Sequence, residues 1–220
     1  MRIALLTVLL LLAGAAPAAA AELTLGTAPR DGAILGEDSR FAGTLTDAGK
    51  PLAGQEVTLE VRRHPFTGAF EFGQTVKTGA DGAFRFVRRL SRNTDVRVSA
   101  LGMGATSPTL RAYVFPRARV SARTVRRNVV RITQSFTVPT TVRLSAPSRF
   151  YLGRGKAASA RFVRAARPRR VRAGRYLARV DVRVPKAYKG RFSYAACFRA
   201  TAGSGLGDPK ATCPRRTFRF

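Results

Sequence analysis

Between Arg161 and Val184 the chain reads RFVRAARPRRVRAGRYLARVDVRV, nine arginines in twenty-four residues with Asp181 as the only acid. A guanidinium is always charged and presents a rigid fork of N–H donors, which matches phosphate, sulfate and carboxylate groups two bonds at a time. Such a run can grip a polyanion, or it can be the water-facing side of a β-sheet. The second reading covers Arg175, Arg179 and Arg183, which alternate with Tyr176, Ala178, Val180 and Val182. It does less for Arg164, Arg167, Arg169, Arg170, Arg172 and Arg175, which crowd a connection containing Pro168 and Gly174. Like charges this dense repel, and neighbouring acids to neutralise them are missing. These six arginines are therefore the candidate anion-binding residues.

The cysteines allow different chemistry. Cys197 and Cys213 are the only two in the chain. They lack CxxC spacing and a histidine or acid cluster nearby, so a structural disulfide is expected rather than a redox or metal role. Each falls on the outward parity of a strand in the last hairpin, across the loop ATAGSGLGDPKAT. Closing about fifteen residues there stabilises by roughly 3 kcal/mol on loop entropy.

Other constellations are thin. His64, in RRHPF, is the single histidine. No nucleophile-elbow sequence accompanies it, and the following Pro65 suggests a strand-end or turn residue. Histidine-built metal sites are excluded by count. The glycines of GSGLGD precede no helix, so that stretch reads as a flexible hairpin loop and not as a phosphate cradle. TGADGAF lacks the oxygen ligands of a calcium loop. Neither an enzyme nor a cofactor is expected.

The charge is divided unequally. The formal net charge is +28. Residues 22–115 hold 12 Lys+Arg against 10 Asp+Glu, while residues 116–220 hold 27 against 2. Arginine outnumbers lysine 34 to 6, which a GC-rich genome explains. Codon bias does not remove acids, so the second half points to an anionic partner.

The first residues, MRIALLTVLLLLAGAAPAAAAEL, combine a basic start, a short apolar run and small residues before a break. That is the layout of a secretory signal peptide over residues 1–21, and its core is too short to span a bilayer. No transmembrane segment is expected. The mature protein is expected outside the cell or in its envelope.

The elements that must carry these residues read as short strands. Val57, Leu59 and Val61 alternate with Glu56, Thr58, Glu60 and Arg62; Phe41, Gly43 and Leu45, and Val96, Val98 and Ala100, behave alike. Phe70, Phe72 and Val76 are assigned to one inward parity, with Gln74 intruding. A period of two marks strands with one face on a core and one in water. With turns at DAGKPLAG and GADG, strands are expected near 22–26, 38–46, 55–63, 68–78, 83–90, 94–101 and 108–115.

The stretch GTLTDAGKPLAGQEVTLEVRR, followed by TVKTGADGAFRFVRRLSRNTDVRVSA, resembles the bacterial Ig-like and carboxypeptidase-regulatory-like modules of secreted proteins. The resemblance covers residues 22–116. It implies a non-catalytic, extracytoplasmic β-sandwich used as a spacer, stabiliser or interaction module, with no active-site residues to transfer.

In the second half strands are expected near 128–138, 149–153, 159–164, 175–184, 191–199 and 213–220. Phe192, Tyr194, Ala196 and Phe198 take the inner parity, and Arg191, Ser193, Ala195 and Arg199 the outer. FPRAR, Phe115 to Arg119, reads as the junction. The expected chain is all-β: two tandem immunoglobulin-like β-sandwich domains, 22–116 and a strongly basic 117–220. Its expected role is a structural or adhesive interaction module. The alternative is binding of an anionic cell-wall polymer or acidic polysaccharide. A protein partner fits the first role, and a dedicated nucleic-acid reader is not expected because no such motif occurs.

Overall fold

The computed structural model describes residues 21–30, 32–155, 160–188, 191–207 and 212–219. Apart from Ala21, the expected leader lies outside the described residues. No α-helix occurs among those described, and none of their helices is long and apolar enough to cross a membrane.

The chain is all-β. In the first half run β1 (Glu22–Leu23), β2 (Gly26–Ala28), β3 (Ala33–Ile34), β4 (Asp38–Asp47), β5 (Lys50–Pro51) and β6 (Glu56–Arg63). Next come β7 (Glu71–Lys77), β8 (Ala83–Arg89), β9 (Thr94–Ala100), β10 (Ala105–Thr106), β11 (Leu110–Ala112) and β12 (Val114–Phe115). The second half holds β13 (Arg117–Arg126), β14 (Val129–Thr137), β15 (Ser148–Arg154) and β16 (Arg161–Ala166). It ends with β17 (Arg169–Arg172), β18 (Arg175–Arg183), β19 (Arg191–Cys197) and β20 (Arg215–Arg219).

In the first half one sheet orders β1-β4-β2, with β5 and β8 also on β4, and a second orders β10-β9-β6-β7, with β11 on β9. In the second half the sheets are β13-β14-β18-β17 and β16-β15-β19-β20. All their pairings are antiparallel. Alternation explains the layering: Val57, Leu59 and Val61 of β6 are buried, as are Val96, Val98 and Ala100 of β9 and Phe41 and Leu45 of β4. In the second half Phe136 of β14 meets Phe198 across the sandwich with ring centroids 4.8 Å apart, and Gln134 donates through Nε2 to the Ala196 carbonyl at 2.9 Å.

Five expectations need correction. Phe72 is 72% exposed, because a register shift opposite Leu59–Glu60 pairs it with Glu60 on the outer face, while Gln74 pairs with Leu59 and is itself exposed on this edge strand. Ser193 and Ala195 of β19 are buried, so both faces of that strand are covered. FPRAR is not a plain connector: β12 ends at Phe115, Pro116 intervenes, and Arg117 opens a ten-residue strand. The alternation of that strand escaped notice because its inner positions are small or weakly apolar, Ala118, Val120, Ala122 and Thr124. Strand β17 was read as connection because all four of its residues are exposed.

The fifth correction concerns GSGLGD. Its described part, Gly203 to Gly207, is not a free loop. Leu206 is fully buried and belongs to the apolar core. The Asn93 amide N–H donates to the Gly205 carbonyl at 2.7 Å, and its side-chain Nδ2 to the Gly207 carbonyl at 2.9 Å. Asn93 Oδ1 accepts from the Val114 N–H, and the Gly207 N–H donates to the Val114 carbonyl. One buried asparagine thus joins the two halves. Gly205 has φ +68°, and a Cβ on it would lie 2.8 Å from His64 Nδ1, so this seat takes glycine alone. His64 itself follows β6 in a turn, as its sequence context suggests.

Candidate anion-binding face

Register decides where the arginines go. Residues paired across antiparallel strands share a face. On the water side of β13-β14-β18-β17, the pairings line up Arg117, Thr137, Arg175 and Arg172 in one row. The next row is Arg119, Ser135, Leu177 and Arg169, and then Ser121, Thr133 and Arg179. Arg123, Arg131 and Asp181 complete the set. Eight arginines in four rows therefore share one sheet face with a single acid. Strands lie about 4.8 Å apart and same-face neighbours about 6.7 Å along a strand, so the eight arginines take part of a lattice of that spacing, with Thr137, Ser135, Thr133, Ser121 and Leu177 at positions between them.

Three adjoining hollows make this face a groove. The first, about 520 Å³, is lined by Arg131, Arg164, Arg179 and Asp181. The second, about 410 Å³, shares Ala166 and Arg179 with it and adds Arg167, Arg169, Val171 and Leu177. The third, about 670 Å³, shares Val171 and Leu177 and extends past Arg117, Arg119, Arg172 and Arg175 to Leu35 and Gly36 of the first half.

The six candidate arginines are thus gathered unequally. Arg169, Arg172 and Arg175 stand in the rows. Arg164 and Arg167 reach the groove from β16 and the connection after it. Arg170 pairs with Tyr176 and takes the opposite parity. The sequence reading missed Arg117, Arg119, Arg123 and Arg131, and left Arg179 as a solvated residue. The alternation in RARVSAR was the signal that would have found three of them.

The single acid is engaged. Arg131 holds Asp181 with two bonds, Nε to Oδ1 at 2.7 Å and Nη2 to Oδ2 at 2.8 Å. That hydrogen-bonded pair holds the Asp181 carboxyl below its usual range, with Arg126 and Arg123 adding favourable charge. The other acid of this half, Asp208, lies outside the described residues.

Arginines of the first half meet a different environment. Burial pushes the Asp95 carboxyl up, but hydrogen bonds and charge from Arg111 and Arg62 outweigh it and hold it below the ordinary value. Arg62 and Arg97 lie over the Phe70 ring at 4.6 and 4.2 Å, and Arg111 over Phe66 at 3.9 Å. Arg97 also pairs with Glu60 at 2.6 Å. There these cations are met by acids and rings of the same chain; among the described residues of the second-half face, Arg131 is the arginine in an ion pair.

Comparisons with known proteins add little. No family model matches the chain, and no curated protein matches it. Among the solved structures similar over most of its length are an alpha-2-macroglobulin and a transglutaminase. Trypsin-activated alpha-2-macroglobulin from Escherichia coli is 14% identical, over 93% of this chain and 16% of that one, at a TM-score of 0.34. Red sea bream transglutaminase is 16% identical, over 90% of this chain and 31% of that one, at 0.37. The chain spans less than a third of either protein.

The cysteines form a disulfide, Cys197–Cys213, closing a separation of 16 residues. Phe198 and Thr212 exchange both backbone hydrogen bonds beside it, so the cysteines occupy the adjacent close pair, with Cα atoms 4.1 Å apart. Among the described residues no three His, Cys, Asp or Glu side chains gather as a metal site would require.

Proposed function

We propose that this protein is an exported, non-catalytic interaction module whose arginine face binds a linear polyanion, with an anionic cell-wall polymer or acidic polysaccharide as the partner class. The carrying observation is the register: eight arginines on one sheet face against one acid already held by Arg131. A polymer with anionic groups about 5–10 Å apart would meet neighbouring arginines, the shorter spacings at Arg172–Arg175 and Arg117–Arg119 and the longer ones across β14. The rows hold no aromatic side chain on which bases could stack, which argues against single-stranded nucleic acid as the dedicated ligand. The signal-peptide layout, the disulfide and the resemblance of residues 22–116 to carboxypeptidase-regulatory-like modules support an extracellular or envelope setting.

A protein partner is the second reading, favoured by Phe72 and Leu101 of the first half, which are 72% and 80% exposed. The two readings separate on salt. Binding to a polyanion releases counterions, so retention on immobilised polyphosphate should fall steeply as salt rises. Replacing Arg172, Arg175 and Arg179 by serine should move elution to much lower salt. Replacing Arg30, Arg40 and Arg85, an equal loss of charge away from the face, should leave it near wild type. Equal shifts in both variants would reduce the interaction to net charge and defeat the proposal.

A further inference from the structure

The groove is not uniform along its length. At its far end Arg131, Arg164 and Arg179 stand beside Ala165, Ala166 and the buried Val180. At the end nearest the first half, apolar side chains enter the lining. Val171 sits where the register shifts between Arg170 and Arg172, and that irregularity leaves it 56% exposed among cations. Leu177 occupies an outer-face position that its polar neighbours would lead one to expect filled by a polar residue, and it is only half-buried. Leu35, from the turn after β3, closes the same cleft from the other half of the chain. Arg117, Arg172 and Arg175 belong to one register row and line the same cleft of about 670 Å³.

A hydrated polymer gains nothing from this wall. We infer that the cleft is a terminal subsite for an amphiphilic anion: a phosphate or carboxylate carrying a short alkyl or acyl arm. The anionic head accepts from the arginine row, and the arm covers Val171, Leu177 and Leu35, removing apolar surface from water on both partners. The inference rests on the groove being an anion site and names what its inner end selects. Because Leu35 and the arginines come from different halves, an occupant bridges them.

Titration calorimetry on the whole protein tests it, with hexyl phosphate and inorganic phosphate as probes. Covering about two methylenes makes hexyl phosphate bind roughly tenfold tighter than inorganic phosphate. Val171→Ser and Leu35→Ser, each made singly in case one perturbs folding, should shrink that gap to about twofold. Equal affinity for the two probes in wild type, or a gap that survives both substitutions, overturns the subsite. If polyphosphate retention proves insensitive to salt while the hexyl preference persists, the polymer reading fails and the subsite stands. Vesicles of one part phosphatidylglycerol to four parts phosphatidylcholine identify the source. Competition with hexyl phosphate assigns the subsite to a lipid headgroup with its acyl chain, and its absence to a soluble alkyl phosphate.

Discussion

Two aspartates in this chain are both held by arginine, and their surroundings give them opposite consequences. Asp95 is almost fully buried between Arg62 and Arg111, whereas Asp181 is largely exposed beside Arg131. Asp95→Asn removes the anion that satisfies two cations and leaves Arg62, whose buried Nε already lacks a partner, worse placed. It should cost about 1–3 kcal/mol, read from urea unfolding. Asp181→Asn should change stability little and instead raise the salt needed to elute the protein from polyphosphate, because it frees Arg131 for the ligand. Both carboxyls have depressed folded pKa values. A group of that kind contributes stability that is present above its unfolded pKa, near 3.8, and is lost as pH falls through its folded value. Thermal unfolding followed from pH 6 downward should therefore show this loss beginning below about pH 4. Tyr194 has the opposite sign. Burial raises its phenol against the pull of Arg216, so its share of stability persists up to pH 10 and is lost above it.

At the scale of elements, the edge hairpin β17–β18 decides whether the face is complete. Its turn depends on Gly174, with φ +67°, whose missing Cβ would sit 2.6 Å from the Val138 carbonyl oxygen. The Gly174 carbonyl also accepts from the Val138 N–H at 2.9 Å. Gly174→Ala should destabilise by about 1–3 kcal/mol and loosen Arg169 and Arg172 from their rows. Hydrogen exchange would show faster exchange confined to β17, and polyphosphate elution would move to lower salt. The disulfide acts on another element. Replacing both cysteines by serine should cost about 3 kcal/mol, concentrated in β20 and the segment that carries Leu206.

For the molecule as a whole, the question is whether the halves unfold together. Asn93 makes its hydrogen bonds to residues 205–207 and to Val114 in a buried setting. Arg92 donates to Thr141 nearby. Asn93→Ala strands two backbone groups, the Gly207 carbonyl and the Val114 N–H, and Leu206→Ala opens a cavity at the same seat, each costing about 2–5 kcal/mol. Calorimetry should show one unfolding transition in wild type and two in Asn93→Ala; a single transition in both would mean that the apolar core, not the clip, couples the halves. The crowded arginines add a second whole-molecule effect. Two unit charges 7 Å apart in water repel by roughly 0.6 kcal/mol, and physiological salt screens beyond about 8 Å. Added sulfate or polyphosphate should therefore raise the melting temperature, polyphosphate more at equal ionic strength because it binds the folded face.

Strand class, the charge division and the cysteine pairing were legible in the sequence, because each depends on local periodicity, composition or count. Val57, Leu59 and Val61 announce a half-buried strand wherever they are placed, and the only two cysteines of a chain have few alternatives to each other. What the chain could not announce is which strands adjoin. Arg117 and Arg172 are 55 positions apart in sequence yet share a row, because β14 and β18 come between β13 and β17. Phe72 was misplaced for a related reason: a single bulge reverses parity, and a bulge is set by pairing with a distant strand. GSGLGD looked like a loop because glycine and serine are turn residues, while its burial depends on Asn93, more than a hundred residues upstream. Local periodicity is written residue by residue; register, and with it the arginine face, exists only once remote strands have paired.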